Sequence, residues 1–263
     1  RSSAASDVYK RQNIMRAFVP LFCSITISFS QSGLDIAQKL DNKERPQSVF
    51  SRISMVLTNS KNKSRENILL SKSNNIGKNQ IIWVLEPKAD RGISFLRKEY
   101  EDKDNEIRMW LPAFNKIRRI NSNRMNDSFM GSDLSYEDLN SRVLSDNIYD
   151  RLNDELFNGI DCYVLNVTSK SELKSAYSKH ILWVSKKNLT ILKEQSFGKN
   201  DELKKVKIYS YKMVKSYELA SKILVQDIQK NHKTEIYIDY ISINTDVDSK
   251  LFRESSLKRI PRL

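Results

Sequence analysis

Eleven short runs rich in β-branched and aromatic residues, separated by polar clusters of Asn, Asp, Ser and Lys, constrain this chain more than any other feature. They span residues 49–59, 81–85, 93–100, 107–111, 116–120, 162–168, 180–185, 190–197, 204–214, 222–228 and 234–243. Runs of that length and spacing predict a large β architecture, a sandwich or a barrel. Glycine and proline number only six and five, so the turns must be made by the Asn, Asp, Ser and Lys clusters. Several runs alternate cleanly. Ile53, Met55 and Leu57 share one face against Arg52 and Ser54, and Val206 and Ile208 oppose Lys205 and Lys207. A sheet with one apolar face must bury that face or use it.

Two segments carry helical spacing. Residues 33–40 place Leu34, Ala37 and Leu40 together, and residues 141–156 place Val143, Leu144, Ile148, Leu152 and Leu156 in a stripe. The fold class that results is mainly β with covering helices (α+β): a curved antiparallel sheet with helices over its concave face.

Residues 1–14 precede Met15, and the stretch RSSAASDVYKRQ looks like a translated adaptor, so they are read as a non-native leader. Residues 15–30 read as a secretory signal peptide. Arg16 is followed by an apolar run too short for a spanning helix and by Ser28-Phe29-Ser30, with small residues where a signal peptidase reads. Cys23 falls inside that discarded run, and Pro20-Leu21-Phe22 before it do not suit a lipid-anchored cysteine. Residues 31–263 then form a single exported domain, with Cys162 as its one cysteine and a small buried hydrophobe. Arg1, Lys10, Arg11 and Arg16 against Asp7 lie in the removed segment, so the domain keeps +10 of the formal +13. A surplus of this size favours anionic surfaces, and export points to the headgroups of a bilayer rather than to nucleic acid.

Residue chemistry argues against catalysis. His180 sits in an apolar run and His232 in a polar turn, no Gly-x-Ser-x-Gly elbow or phosphate loop is present, and the scattered Cys and His offer no metal-ligand spacing. No cofactor, metal or catalytic residue is expected. Asp133, Glu137 and Asp138 crowd within six residues, which leaves open an envelope enzyme acting on glycans through Glu137 or Asp138. A cationic interaction module working through residues 199–207 is the other alternative. Local hydrogen bonding accounts for the crowding more simply: Ser132 or Asp133 can cap the next turn, Ser135 with Asp138 makes a capping box, and Gly131 admits positive φ.

Residues 111–139 are more particular than composition requires. Leu111-Pro112-Ala113 with Ile117-Arg118-Arg119-Ile120, then Phe129-Met130-Gly131-Ser132-Asp133 with Tyr136-Glu137-Asp138-Leu139, resemble the outer-membrane lipoprotein-sorting family related to the LolA and LolB carriers. Asp90-Arg91-Gly92-Ile93 and Gly159-Ile160-Asp161-Cys162-Tyr163 extend the resemblance across residues 33–259, while residues 72–79 and 146–158 follow no pattern of that family.

The resemblance implies an incomplete LolA-like β-barrel closed by a helical lid, and a periplasmic lipid or lipoprotein carrier that performs no chemistry. It also implies an apolar cavity with a polar rim for acyl chains. Ile81, Trp83, Leu85, Ile93, Phe95, Met109, Leu111 and Trp183 are the expected walls, with Arg118 and Arg119 as headgroup or partner contacts. Lipid or lipoprotein acyl chains, a membrane surface and, by analogy, an inner-membrane exporter of the RND type are the expected partners.

Overall fold

A computed structural model describes residues 31–170 and 175–261. The leader and the signal peptide expected over residues 1–30 lie outside the described residues.

Fourteen strands make one antiparallel sheet: β1 (Val49–Thr58), β2 (Ser64–Asn74), β3 (Asn79–Glu86), β4 (Ser94–Lys98), β5 (Glu106–Leu111), β6 (Lys116–Ile120), β7 (Asn147–Arg151), β8 (Glu155–Phe157), β9 (Ile160–Ser169), β10 (Lys179–Ser185), β11 (Ile191–Phe197), β12 (Leu203–Val214), β13 (Tyr217–Asp227) and β14 (His232–Ile243). Each of the eleven expected runs is a strand. The spatial order is β6-β5-β4-β3-β2-β1-β14-β13-β12-β11-β10-β9-β7, with β8 sharing the edge of β9. Both halves are meanders, joined where β1 pairs with β14 from Val49 opposite Ile243 to Thr58 opposite Lys233. The sheet does not close. Its two free edges, β6 and β7, are consecutive in sequence, so residues 121–146 must run from one edge to the other, and they do so over the concave face.

That connection is a strap of short 3-10 turns at Ser122–Arg124, Phe129–Gly131, Glu137–Leu139 and Leu144–Asp146. Phe129 and Tyr136 anchor it against Met55, Leu57, Leu69, Ile82, Val84, Phe95, Ile107 and Ile236. Phe95 and Phe129 meet edge to face at 4.9 Å. Gly131 has φ +71°, and a Cβ there would lie 2.1 Å from Arg65 Nη2, whose guanidinium donates to the carbonyl of Met130 at 3.0 Å.

Helix α1 (Gly33–Asp41) covers the other half of the same face. Ser32 and Asp35 form a reciprocal capping box, with Asp35 N–H to Ser32 Oγ at 3.1 Å and Ser32 N–H to Asp35 Oδ2 at 3.0 Å. Ile36 and Ala37 pack on Leu165, Val167, Leu182 and Val184. Gly33 permits this approach, because a Cβ would stand 2.4 Å from the carbonyl oxygen of Tyr149 on β7. The opposite, convex face of β2 to β5 is closed by the C-terminal segment, where Ser249–Phe252 and helix α2 (Glu254–Leu257) set Phe252 and Leu257 against Leu70, Ile81, Trp83, Leu96 and Trp110.

The helix expected over residues 141–156 is not formed. A 3-10 turn, β7 and β8 occupy that segment, and Ile148, Leu152 and Leu156 of the supposed stripe are exposed. Asn147, Asp150, Asn153 and Asp154 are weak helix formers, and the free edge of β9 offers a ladder that pairs Asn147–Arg151 with residues 165–169. Strand β2 was also absent from the expected runs, since its only continuous apolar stretch is Ile68-Leu69-Leu70 between polar ends.

Candidate functional site

Between α1, the strap and the β9–β13 half of the sheet lies an open cavity of about 1250 Å³. One wall is apolar: Ala37, Leu40, Leu144, Leu165, Leu182 and Ile191 all line it. The remainder is polar and, at its innermost part, ionic. This arises from register. Leu182 on β10 stands opposite Glu194 on β11, Glu194 opposite Lys207 on β12, and His180 opposite Ser196, which in turn faces Lys205. Lys205 and Lys207, the polar side of an alternating run, therefore point inward and are more buried than Val206 and Ile208.

Asp138 from the strap meets these lysines. Lys205 Nζ donates to Asp138 Oδ2 at 2.8 Å and Lys207 Nζ to Oδ1 at 2.6 Å. The Oδ2 atom also accepts from Ser135 N and Ser135 Oγ, each at 2.8 Å, and from the Tyr177 hydroxyl at 3.1 Å. The expected Ser135–Asp138 capping box is present, with Asp138 N–H returning to Ser135 Oγ at 3.3 Å. Glu194 Oε1 accepts from Arg142 Nη2 at 3.1 Å, Lys207 Nζ at 3.3 Å and Ser196 Oγ at 3.3 Å, and lies 3.1 Å from His180 Nδ1.

Burial alone would raise both carboxyl pKa values. The lysines beside Asp138, and Lys207 with Arg142 beside Glu194, outweigh it and hold both below the ordinary carboxylate range. Lys207 is raised for the reciprocal reason, since Asp138 and Glu194 outweigh its desolvation. Burial lowers His180, so its imidazole is neutral at neutral pH. A second, smaller knot ties the strap to β14, where Asp133 accepts from Thr234 Oγ1 at 2.6 Å and faces His232 Nδ1 at 2.7 Å.

The residues expected as cavity walls lie elsewhere. Ile81, Trp83 and Leu85 belong to the convex core under the C-terminal segment. Trp183 belongs to a convex cluster with Cys162 and Val164, its indole donating to Glu155 at 2.8 Å. Ile93, Phe95 and Met109 are on the concave side but beneath the strap. Leu111, at the end of β5, is outside the cavity lining as well. Of the two arginines, Arg119 reaches the cavity, while Arg118 stacks over Phe114 at 5.8 Å. Cys162 is fully buried, as expected. Composition could not reveal the inner ionic cluster, because its members come from four separate segments.

The alternative roles lose their free groups. Asp138 is saturated by protein donors, and Glu137 accepts from Ser175 Oγ and from Ala176 N–H at 2.9 Å. Residues 199–207 are not a free cationic strip, since Lys205 and Lys207 are buried in ion pairs. Among the described residues, no group of three His, Cys, Asp or Glu stands close enough to hold a metal ion.

Comparison with other proteins places this architecture. The model of a family described as "Uncharacterized protein" matches residues 77–259, more than half of the chain. The chain belongs to that family. No curated protein matches the sequence significantly. Among solved structures, a putative outer membrane lipoprotein-sorting protein domain from Vibrio parahaemolyticus is 26% identical with a TM-score of 0.81, over 86% of this chain and 98% of that one. A DUF1329 family protein from Desulfovibrio piger is equally similar, at 26% identity and a TM-score of 0.81 over 86% and 97%. A LolA superfamily protein from Nitrosomonas europaea shares the fold at 18% identity and a TM-score of 0.69, over 86% and 100%. The chain thus shares its open antiparallel sheet with the lipoprotein-sorting domain and with the LolA superfamily protein, as the resemblance in residues 111–139 implied.

Proposed function

We propose that the protein is a periplasmic carrier that holds a lipid, or the acyl chains of a lipoprotein, in its concave cavity during passage between membranes. The observation that carries this reading is the near-complete overlap with the lipoprotein-sorting domain, 86% of this chain and 98% of that one at 26% identity. The cavity supports it: about 1250 Å³ exceeds the roughly 300–1,000 Å³ of ordinary small-molecule sites, and one wall is aliphatic. Each methylene buried there gains about 0.8 kcal/mol, so one or two chains bind without a catalytic group.

In this account acyl chains enter along Leu40, Leu144 and Leu182, α1 and the strap shield them from water, and release follows contact with an acceptor. Lifting of the strap would add Ile93, Phe95 and Met109 to the wall. The +10 surplus of residues 31–263 draws the loaded protein to anionic headgroups, and an inner-membrane exporter of the RND type is the donor that the resemblance suggests. Arg119, at the cavity, is the arginine placed to meet a headgroup.

The test is saturable uptake of a fluorescent palmitate analogue by protein stripped of lipid. Wild type is expected to bind at one site, and Leu40→Trp, which fills a half-buried wall position, to bind at least tenfold more weakly. Absence of saturable binding by the wild type would refute the carrier role.

A further inference from the structure

The innermost part of the cavity has hydrogen-bonding capacity left over, most of it on donors. Of its acceptors, Asn140 Oδ1 is buried without a partner among the described residues and the carboxylates are used, as Asp138 and Glu194 each take several protein donors. Its donors are not. Arg142, which lines the cavity, spends one of its five N–H groups on Glu194 and, among the described residues, has no other hydrogen-bond partner. Tyr149 and Tyr209 line the same space and stand within electrostatic reach of that guanidinium, and their hydroxyls have no hydrogen-bond partner among the described residues. Thr190, 5% exposed, also lines the cavity with its Oγ1 unpartnered. A buried polar group left without a partner costs about 1–3 kcal/mol, which applies to Thr190 Oγ1, while the half-buried guanidinium and hydroxyls are open to acceptors from water or from a ligand.

We infer that the cavity binds an amphiphile with an anionic, oxygen-rich head, the phosphate of a lipid, whose oxygens accept from Arg142, Tyr149 and Tyr209 while its chain lies on the Leu40, Leu144, Leu165 and Leu182 wall. This rests on the carrier reading and adds the class of head group. Arginine suits the task because its planar fork can donate two parallel N–H groups to one phosphate while a third remains on Glu194. The tyrosines add orientation, and the partly desolvated setting strengthens each bond relative to bulk water.

The experiment compares oleoyl glycerol phosphate with oleoyl glycerol, two amphiphiles of the same chain, on full-length stripped protein, with glycerol phosphate as a tailless competitor. Wild type should bind the phosphate form at least about tenfold more tightly, and glycerol phosphate should compete poorly. Arg142→Gln should bind both amphiphiles with the affinity of the neutral one. The double variant Tyr149→Phe with Tyr209→Phe removes only two hydroxyls; it should retain the fold, lose several-fold of the preference, and decide the matter if Arg142→Gln is poorly folded. Equal binding of the two amphiphiles by wild type, or a preference unchanged in either variant, overturns the assignment and leaves the carrier reading standing. Competition by glycerol phosphate as strong as by the amphiphile overturns it in favour of a soluble phosphate. Binding of neither amphiphile overturns both readings.

Discussion

Lys207 shows how far a single side chain can depart from its pattern. In sequence it is the polar partner of Val206 and Ile208; in the fold it lies between Asp138 and Glu194 at 2.6 and 3.3 Å, almost free of solvent. Alternation was legible, but which face is inside was not, because the inner face of β12 becomes acceptable for lysine only when a strap carboxylate arrives from 69 residues away. Removing the cation takes one buried counter-charge from both carboxylates, leaving Asp138 with Lys205 and Glu194 with Arg142. Lys207→Met is therefore expected to cost about 3–5 kcal/mol in chemical denaturation, against near-neutrality for the exposed Lys230→Met.

His180 sets a pH dependence among Glu194, Ser196, Arg142, Lys207 and Tyr177. Its pKa in the folded protein is below the ordinary 6.5, so as pH falls through 6.5 the unfolded chain takes up the proton first and stability declines. Asp138 and Glu194 are likewise lowered in the folded protein, so a second, steeper loss begins below their ordinary values of 3.8 and 4.5. Urea midpoints measured from pH 8 to pH 4 should fall first below about pH 6.5, and His180→Gln should flatten that first limb.

At the scale of elements, strands with clear alternation or continuous apolar runs could be read directly, and α1 was marked by its spacing. The helix expected over residues 141–156 failed because a stripe of period 3.6 can arise by chance, whereas the open edge of β9 supplies hydrogen bonds that no local pattern reveals. Leu156 is the sharpest check: it is 70% exposed on β8, so Leu156→Asp should change stability by no more than about 0.5 kcal/mol, where a buried helical stripe would lose several. The signature in residues 111–139 was legible as a family mark and as a capped turn, but not as a strap between sheet edges. Phe129 carries its anchorage, 2% exposed and edge to face with Phe95. Phe129→Ala should cost about 3–5 kcal/mol by thermal or chemical unfolding.

The whole molecule is a sheet that stays open and turns that openness into a chamber. Two meanders are zipped together at β1 and β14, the free edges are bridged by the strap, α1 covers one half of the concavity, and the C-terminal segment seals the convex side of the other. The architecture and the family likeness were readable because both depend on patterns spread over the chain. The chamber wall was not readable, because strands β3, β4, β5 and β10 are apolar on both faces and alternation alone does not say which face meets a ligand.

A carrier of the proposed kind holds an amphiphile in this chamber. Native mass spectrometry of the protein purified from cells of its own type without detergent, followed by organic extraction, tests it most directly. A bound species of discrete mass is expected, released on extraction and identified as an acylated amphiphile with an anionic head. A single apo mass, with no lipid in the extract and no uptake on incubation with vesicles rich in phosphatidylglycerol, would contradict it.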